Sequence, residues 1–217
     1  MAIFAEPCAR NRYTTRAFRY GRMTIQSGLD LIIALLYAPG KIEAPAEKIA
    51  GITRLEKLIF LLLKEGGFED SVGRDFPYKP YDLGPYSSEI LDYLETLKEV
   101  QILATEVRDA RSYKESMDAM AAQLEASEQV DVERPKLEIY QLTDRGLKVG
   151  ERLFDDLTEE EQAAIVDIKR RFNRASLNEL LRYVYEKYPK MREKSKIADR
   201  ILGFGRRPDL PPFRRED

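Results

Sequence analysis

The chain has 217 residues, 43% of them hydrophobic, which is enough for one domain with a core or a small domain with a helical extension. Histidine is absent and there is one cysteine, so internal disulfides and imidazole-dependent hydrolase triads are excluded, and zinc and haem sites lose their main ligand. No run of about 18 apolar residues exists, so a membrane span is excluded. We therefore expect a cytoplasmic protein with no membrane partner, no cofactor and no metal ion.

The net charge of −2 conceals a strong asymmetry along the chain. Residues 1–22 carry about +4, residues 23–162 about −13, and residues 163–217 about +7. An acidic body with basic ends is not typical of a protein that binds DNA nonspecifically, although the ends could form one basic face. Residues 1–22 lack apolar periodicity and are predicted to be a disordered arm or leader, with a nucleic-acid-binding arm as the alternative.

Two apolar helices are predicted next. Residues 24–37 place apolar side chains on nearly every side, and Pro39 with Gly40 ends this helix. A second helix is predicted to begin at an N-cap formed by Thr53 and to end at Gly66. The charged side chains expected on its exposed surface are Arg54, Glu56, Lys57 and Lys64.

The third predicted helix begins within "YKPYDLGPYSSEILDYL", residues 78–94. Proline suits the first position of a helix, so Gly84 is predicted as N-cap and Pro85 as the first helical residue. The side chains expected to face inward are Ile90, Leu91, Leu94 and Leu97.

Two strands and a helical extension follow. "QILATEVRD" at residues 101–109 and "KLEIYQLTDRG" at residues 136–146 are predicted to pair, with a polar insertion at about residues 110–135 between them. Residues 143–202 are predicted to be a C-terminal helical extension, and residues 203–217 a flexible tail. The helices of the C-terminal extension begin at two predicted capping boxes, formed by Thr158 with Glu161 and by Ser176 with Glu179.

The order helix, helix, helix, strand, strand is typical of a winged helix-turn-helix domain, in which the third helix enters the DNA groove and the hairpin is the wing. The predicted fold class is therefore mainly α (α+β). A winged-helix domain is expected at residues 23–142, with its wing enlarged by the insertion and the helical extension following it.

Four segments carry a resemblance to known winged-helix proteins. "YQLTDRG", residues 140–146, resembles the Y-x-L-T-x-x-G of PadR- and MarR-type regulators. Together with "RLEKLIFLL", "YKPYDLGPYSSEILDYLETL" and "LNELLRYVYEKYPKMREKS", it resembles proteins related to the Panacea (SocA-like) antitoxin domain and their phage-associated relatives, over about residues 52–197. The most telling block contains Tyr81, Gly84 and Pro85; the absence of tryptophan and the long wing insertion depart from the pattern.

This resemblance implies a prokaryotic regulator or adaptor, often encoded with toxin or phage-defence genes, that binds a partner protein rather than catalysing a reaction. The charges of the third helix agree, because its exposed carboxylates with one Lys98 would repel DNA phosphates. Tyrosines before this helix and in its first turn would add contact area to a partner groove or ligand pocket, or would instead fill the junction with the C-terminal extension. The predicted partner-binding residues are Tyr78, Tyr81, Tyr86, Asp92, Glu95 and Glu99.

A DNA-binding transcriptional regulator is the alternative, using the wing and the basic C-terminal helices. Its predicted nucleic-acid-binding residues are Lys169, Arg170, Arg171, Arg174, Lys190 and Arg192. The simpler interpretation of these cations is a solvated helix face. The C-terminal helices could also form a homodimer interface.

Catalysis is not expected. Asp167, Ile168 and Lys169 match part of a nuclease-like D/E-x-K element, but they lie in a predicted helix without the strand that supplies a second carboxylate. The acidic cluster at residues 155–161 spans a helix end and the next helix start, where dipole compensation explains Glu159, Glu160 and Glu161.

Overall fold

A computed structural model describes residues 25–42, 44–110 and 136–203. The predicted arm (1–22), most of the wing insertion (111–135) and most of the tail (204–217) lie outside these residues. In chain order the elements are α1 Gly28–Tyr37, β1 Ile49–Ala50, α2 Ile52–Glu65, α3 Glu69–Val72, β2 Lys79–Tyr81, β3 Gly84–Tyr86, α4 Glu89–Glu99, β4 Leu103–Asp109, β5 Lys136–Leu142, α5 Asp144–Asp156, α6 Glu159–Phe172, α7 Leu177–Lys187 and α8 Ala198–Leu202. Short 3₁₀ turns occupy Gly73–Asp75 and Pro189–Arg192.

The strands form a three-stranded antiparallel sheet in the order β1-β5-β4. The two strands predicted at residues 101–109 and 136–146 do pair, from Leu103 opposite Leu142 to Asp109 opposite Lys136. β1 was not predicted; it adds Ile49 opposite Tyr140 on the other side of β5. The prediction of a mainly helical α+β protein is confirmed.

α1 is buried on nearly every side, as its apolar content predicts, but it starts later than predicted. The Ser27 hydroxyl accepts a hydrogen bond from the Asp30 amide at 3.2 Å, and the Asp30 carboxylate accepts one from the Ser27 amide at 3.0 Å. This capping box satisfies amide groups that the first turn leaves without helical partners, and it places the helix start at Gly28.

α2 is more deeply buried than its sequence predicts. It begins at Ile52 after Gly51, whose φ of 89° suits glycine, and not at an N-cap formed by Thr53. The expected exposure of three charged side chains is also wrong: Arg54, Glu56 and Lys57 are 2%, 1% and 0% exposed, whereas Lys64 is exposed as predicted. The reason is that α6 and α7 pack against α2 and cover the face that would otherwise meet solvent.

The segment around Gly84 is a hairpin and not a helix start. β2 and β3 pair antiparallel, with Tyr81 opposite Gly84 and Pro80 opposite Pro85. Gly84 has φ 96°, and a Cβ at this position would lie 2.7 Å from a ring carbon of Tyr185 on α7. Glycine is therefore required here by backbone conformation and by the close approach of α7, which corrects its predicted role as N-cap.

α4 begins at Glu89, after the hairpin, and places Ile90, Leu94 and Leu97 in the core as predicted. Leu91 was expected to be buried, but its side chain is 44% exposed. It lies at the boundary between the apolar and polar faces of the helix, and no neighbouring element covers that boundary among the described residues.

The starts of the C-terminal helices agree with the sequence. Thr143 caps α5 by accepting a hydrogen bond from the Gly146 amide at 3.0 Å, and both predicted capping boxes are formed. α7 ends at Lys187, just before Pro189. The last helix is the short α8, which follows a 3₁₀ turn.

Candidate functional site

The Lys169 ammonium closes the C-terminal end of α1. Its side chain is 0% exposed, and its Nζ donates to the carbonyl oxygens of Leu35, Leu36 and Ala38 at 2.8, 2.9 and 2.7 Å. These carbonyls lie in the last turn and cap of α1, where helices lack internal donors. The prediction of Lys169 as a nucleic-acid-binding residue is therefore wrong, because its charge is used inside the fold.

Arg54 does the same for α6. Its Nη1 donates to the carbonyls of Phe172 and Ala175, each at 2.9 Å, and its Nε donates to Ala50 at 3.3 Å. The buried Lys57 pairs with Glu56 at 3.1 Å on the same helix. Buried cations thus connect α1, α2 and α6, and the role of these residues is structural.

Lys169 makes stability depend on pH. Burial lowers the pKa of Lys169 from its ordinary 10.5 to about 7, while Glu47 acts in the opposite direction. The pKa of Lys169 is lower in the folded chain than in the unfolded chain, so between the two pKa values the unfolded chain binds more protons. Protons therefore favour the unfolded chain in this range, and they do so less as the pH rises. We expect the free energy of unfolding to increase above about pH 7, by up to about 1.4 kcal/mol per pH unit from this group.

Urea unfolding at several pH values checks this prediction, with Lys169→Met as the reference chain. The useful range ends near about pH 9, because tyrosines of the unfolded chain titrate above it. The free energy of unfolding, plotted against pH, should rise more for the wild type than for the variant. Parallel curves would mean that Lys169 keeps its proton in the folded chain.

The other predicted basic residues do not form one surface. Arg174 forms an ion pair with Glu47, whose side chain is only 8% exposed. Lys190 and Arg192 lie on the 3₁₀ turn after α7 and line a separate depression, where Arg192 also donates to the Tyr185 carbonyl at 3.3 Å. Of the six predicted residues, Arg170 and Arg171 are exposed side by side on α6 and line the same pocket.

Arg170 and Arg171 line an open pocket of about 630 Å³ together with Lys41, Phe172 and Tyr183. Lys41 comes from the loop between α1 and β1, and the Arg170 Nε fixes that loop by donating to the Gly40 carbonyl at 3.3 Å. Lys41 was not predicted as part of a site. It lies about 130 residues before the arginines in the sequence, and packing of the α1–β1 loop on α6 brings it to them.

The outward face of α4 is acidic. Asp92, Glu95 and Glu99 are all exposed, and their spacing of three and four residues puts them on one face. Lys98 pairs with Glu95 at 2.8 Å and so neutralises part of the charge. Leu91 and Val100, 44% and 45% exposed, add apolar surface to the same helix and its C-cap. We call Leu91, Asp92, Glu95 and Glu99 the α4 acidic face.

The three predicted partner-binding tyrosines do not lie on that face. Tyr78 donates its hydroxyl to the Glu56 carbonyl at 2.6 Å, and its ring packs edge-on against Phe60 at 5.1 Å. Tyr81 and Tyr86 are half-buried and lie 4.8 Å apart, centre to centre, on the β2–β3 hairpin. The hairpin contacts α7 and the following 3₁₀ turn.

Ring contacts continue through Tyr78 from α4 to the C-terminal extension. Tyr93 of α4 contacts Phe76 at 5.6 Å, and Phe76 lies 6.5 Å from Tyr78. Phe60 then joins Tyr78 to Tyr188 beyond α7 at 5.0 Å. This arrangement favours the interpretation that Tyr78 fills the junction between the third long helix and the extension.

Glu65, at the C-terminal end of α2, also holds the extension. Its carboxylate accepts hydrogen bonds from Tyr183 and Tyr188 at 2.9 and 3.0 Å and pairs with Lys187 at 2.9 Å. Burial raises the pKa of Glu65, but these three partners outweigh it and the net pKa is lowered. The charged form therefore fastens α7 to α2.

The D-x-K element does not form a site. Asp167 is exposed and pairs with Arg171 at 3.2 Å, whereas Lys169 is buried on the α1 carbonyls. Within residues 25–42, 44–110 and 136–203 there is no group of three acidic or cysteine residues placed to hold a metal. The acidic residues predicted to compensate a helix dipole do lie in the first turn of α6.

The described residues define a mainly helical α+β protein whose exposed features are an acidic helix and a small basic pocket. None of its described helices combines the length and apolarity needed to cross a membrane. Comparison of the chain with protein-family models, curated proteins and solved structures finds no match.

Proposed function

We propose that this chain is a non-catalytic, prokaryotic, cytoplasmic winged-helix protein that regulates or adapts by binding a partner protein. The sheet order β1-β5-β4 supports the winged-helix part, because in a winged-helix domain the strand after the first helix also pairs beside the two strands of the wing, here β4 and β5. α1, α2 and α4 would then be its three helices, with the β2–β3 hairpin as an addition before the third. The likeness of its motifs to Panacea-type antitoxins suggests an antitoxin-like or phage-defence setting.

The observation that carries this proposal is the charge of α4. In a winged-helix domain this helix would face the DNA groove, and base recognition there uses arginine, lysine, asparagine or glutamine. Asp92, Glu95 and Glu99 are exposed instead, and Lys98 on the same helix is paired with Glu95. Carboxylates facing phosphates would repel them and lower the affinity for nucleic acid, so a nucleic-acid groove is a poor match for this helix.

A basic protein surface with an apolar centre matches the same helix well. Opposite charges across an interface accelerate association and select the partner, while a buried apolar contact contributes more of the affinity. Leu91 is exposed beside Asp92 and Glu95, and could enter a partner's apolar pocket with carboxylates at its rim. We therefore expect the partner to present lysines or arginines around a hydrophobic depression.

Charge reversal on α4 tests this function. The variant Asp92→Lys, Glu95→Lys, Glu99→Lys should weaken partner binding by on the order of tenfold to a hundredfold, because repulsion replaces attraction at the rim. Partners are first captured by the wild-type chain from lysate of its source cells, identified by mass spectrometry, purified and titrated by calorimetry. Leu91→Ala should weaken binding of the same partner without changing its salt dependence.

A control with the same charge change separates a local effect from a general one. It carries three exposed carboxylates changed to lysine elsewhere, Glu151→Lys, Glu186→Lys and Glu193→Lys. This control should retain the partner at nearly wild-type affinity. The proposal fails if the α4 variant retains every partner, or if the control loses them equally.

The alternative of a DNA-binding regulator loses part of its predicted basic surface. Lys169 is buried, Arg174 is paired with Glu47, and Lys190 lies at a different depression from Arg170. Homodimer formation through the C-terminal helices stays a prediction, and sedimentation of the purified chain is its direct test.

A further inference from the structure

The pocket formed by Lys41, Arg170, Arg171, Phe172 and Tyr183 lies on other elements than the α4 acidic face. We call it the α6–α7 pocket. Three cations from two separate parts of the chain converge on it, in a protein whose net charge is −2. Like charges brought together cost free energy in the unbound protein, and a bound anion removes that cost.

Arg171 is held in place before any ligand arrives. Its guanidinium lies 4.8 Å from the centre of the Phe172 ring and 5.2 Å from that of Tyr183. Asp167, four residues earlier on α6, binds its Nη1 at 3.2 Å. A guanidinium fixed by rings and one carboxylate loses little conformational freedom on binding, and its planar set of five donors leaves others for an anion.

Arg170 and Lys41 complete the cationic side of the pocket. Arg170 is exposed and uses its Nε to hold the Gly40 carbonyl, which fixes the loop that carries Lys41. Lys41 is itself exposed beside this bond. Each of the three cations can therefore reach an anion in the pocket, and the loop that brings Lys41 is tied to α6 by one of them.

The aromatic rings of this pocket are already in use. Phe172 and Tyr183 contact each other at 4.8 Å, Arg171 lies over both, and the Lys187 Nζ lies 5.3 Å from the Tyr183 ring centre. Single-stranded nucleic acids gain much of their affinity from bases stacked on free ring faces. The α6–α7 pocket therefore offers charge and N–H donors, and little base stacking.

We propose that the α6–α7 pocket binds the phosphodiester backbone of duplex nucleic acid, without recognising its sequence. A shallow, open pocket with three cations matches a chain of closely spaced phosphates better than it matches an enclosed small molecule. Duplex DNA carries one charge per about 1.7 Å of its axis, a higher density than one strand offers. Without base contacts, all sequences should bind alike.

This proposal is independent of the proposed function. The pocket is built from α6, α7 and the α1–β1 loop, whereas partner binding is assigned to α4. A protein with both surfaces would hold a partner protein near a nucleic acid. The charge reversal on α4 and the pocket variants change different residues, so failure of one leaves the other testable.

Fluorescence anisotropy of a labelled duplex of arbitrary sequence, titrated with the full chain over a series of salt concentrations, tests the proposal. The pocket variant is Lys41→Ala, Arg170→Ala, Arg171→Ala. A matched control removes three exposed cations that follow one another along α5, Arg145→Ala, Lys148→Ala and Arg152→Ala. Since every chain keeps its remaining arginines, the comparison isolates the three positions. The double variant Lys41→Ala, Arg170→Ala leaves the ring contacts of Arg171 intact and guards against misfolding.

The pocket variant should lose on the order of tenfold or more in duplex affinity at low salt, and its slope of log affinity against log salt should flatten by about two to three. The double variant should show about two thirds of this flattening, and the α5 control should behave like the wild type. The same duplex with a scrambled sequence should bind equally, and the unpaired strand more weakly.

Four results would overturn the proposal. One is a wild-type chain that does not bind duplex at low salt, and another is an equal loss in the α5 control. A third is tighter binding of the unpaired strand, which would require free ring faces. The fourth is pocket-dependent binding to vesicles of phosphatidylserine and phosphatidylcholine with none to duplex, which would assign the pocket to a membrane surface.

Discussion

Replacing Lys169 by methionine is expected to destabilise the protein by about 3–5 kcal/mol, because it removes the donor from three buried carbonyls. Methionine nearly matches the length of the lysine chain and so keeps most of its apolar contacts. The oxygens of Leu35, Leu36 and Ala38 then lose Nζ, which donates to all of them at 2.9 Å or less. The end of α1 should open first, since its cap depends on α6.

Urea unfolding monitored by circular dichroism measures this loss. The substitution Arg182→Met is the control, because Arg182 is exposed on α7 and should change stability by no more than about 0.5 kcal/mol. Amide hydrogen exchange should show faster exchange for the last turn of α1 in Lys169→Met. A midpoint equal to that of the wild type would show that water replaces the ammonium at no cost.

Gly146→Ala is expected to cost about 2–3 kcal/mol, although alanine is ordinarily the better helix residue by about 1 kcal/mol. A Cβ at Gly146 would lie 2.1 Å from the Ile102 carbonyl oxygen and 3.2 Å from the Leu142 side chain. The first contact is with backbone, which cannot rotate away. The N-terminus of α5 would have to move off the segment before β4.

Thr143 explains why this approach is so close. Its hydroxyl donates to the Gln101 carbonyl at 2.6 Å and accepts from the Gly146 amide at 3.0 Å, which ties the helix start to that segment. Lys148→Ala, an exposed change on the same helix, should leave stability within about 0.5 kcal/mol of wild type in the same urea experiment. If Gly146→Ala proves as stable as that control, the close packing of α5 on Ile102 is wrong.

Features that depend on neighbours along the chain were predicted well. Thr158 and Ser176 cap helices as their spacing indicates, because a cap needs an acceptor and an amide within three residues. β4 and β5 were predicted from the strand pattern of their own segments, and they pair as antiparallel neighbours. The prediction of a helix start at Gly84 was wrong, because glycine followed by proline is compatible with both a helix start and a tight hairpin. The contact with Tyr185 favours the hairpin.

The candidate surfaces were predicted unevenly for the same reason. The acidic residues of α4 share a face because of helical spacing alone, so Asp92, Glu95 and Glu99 could be placed together from the sequence. Leu91 was assigned to the core because the apolar stripe of a helix does not show how much of it neighbouring elements will cover. The α6–α7 pocket joins Lys41 to residues about 130 positions later, and no periodicity spans that separation.

Local spacing alone thus established the helix caps and the acidic side of α4, since each depends on groups a few residues apart, and the residues within each segment indicated the two strands β4 and β5. The placement of charge inside the protein was decided only by tertiary packing. Lys169 and Arg54 have the sequence surroundings of surface cations, yet both are buried because distant helix ends present carbonyls that need donors. A residue's partner in that case lies on another element, and sequence position does not encode the distance between them.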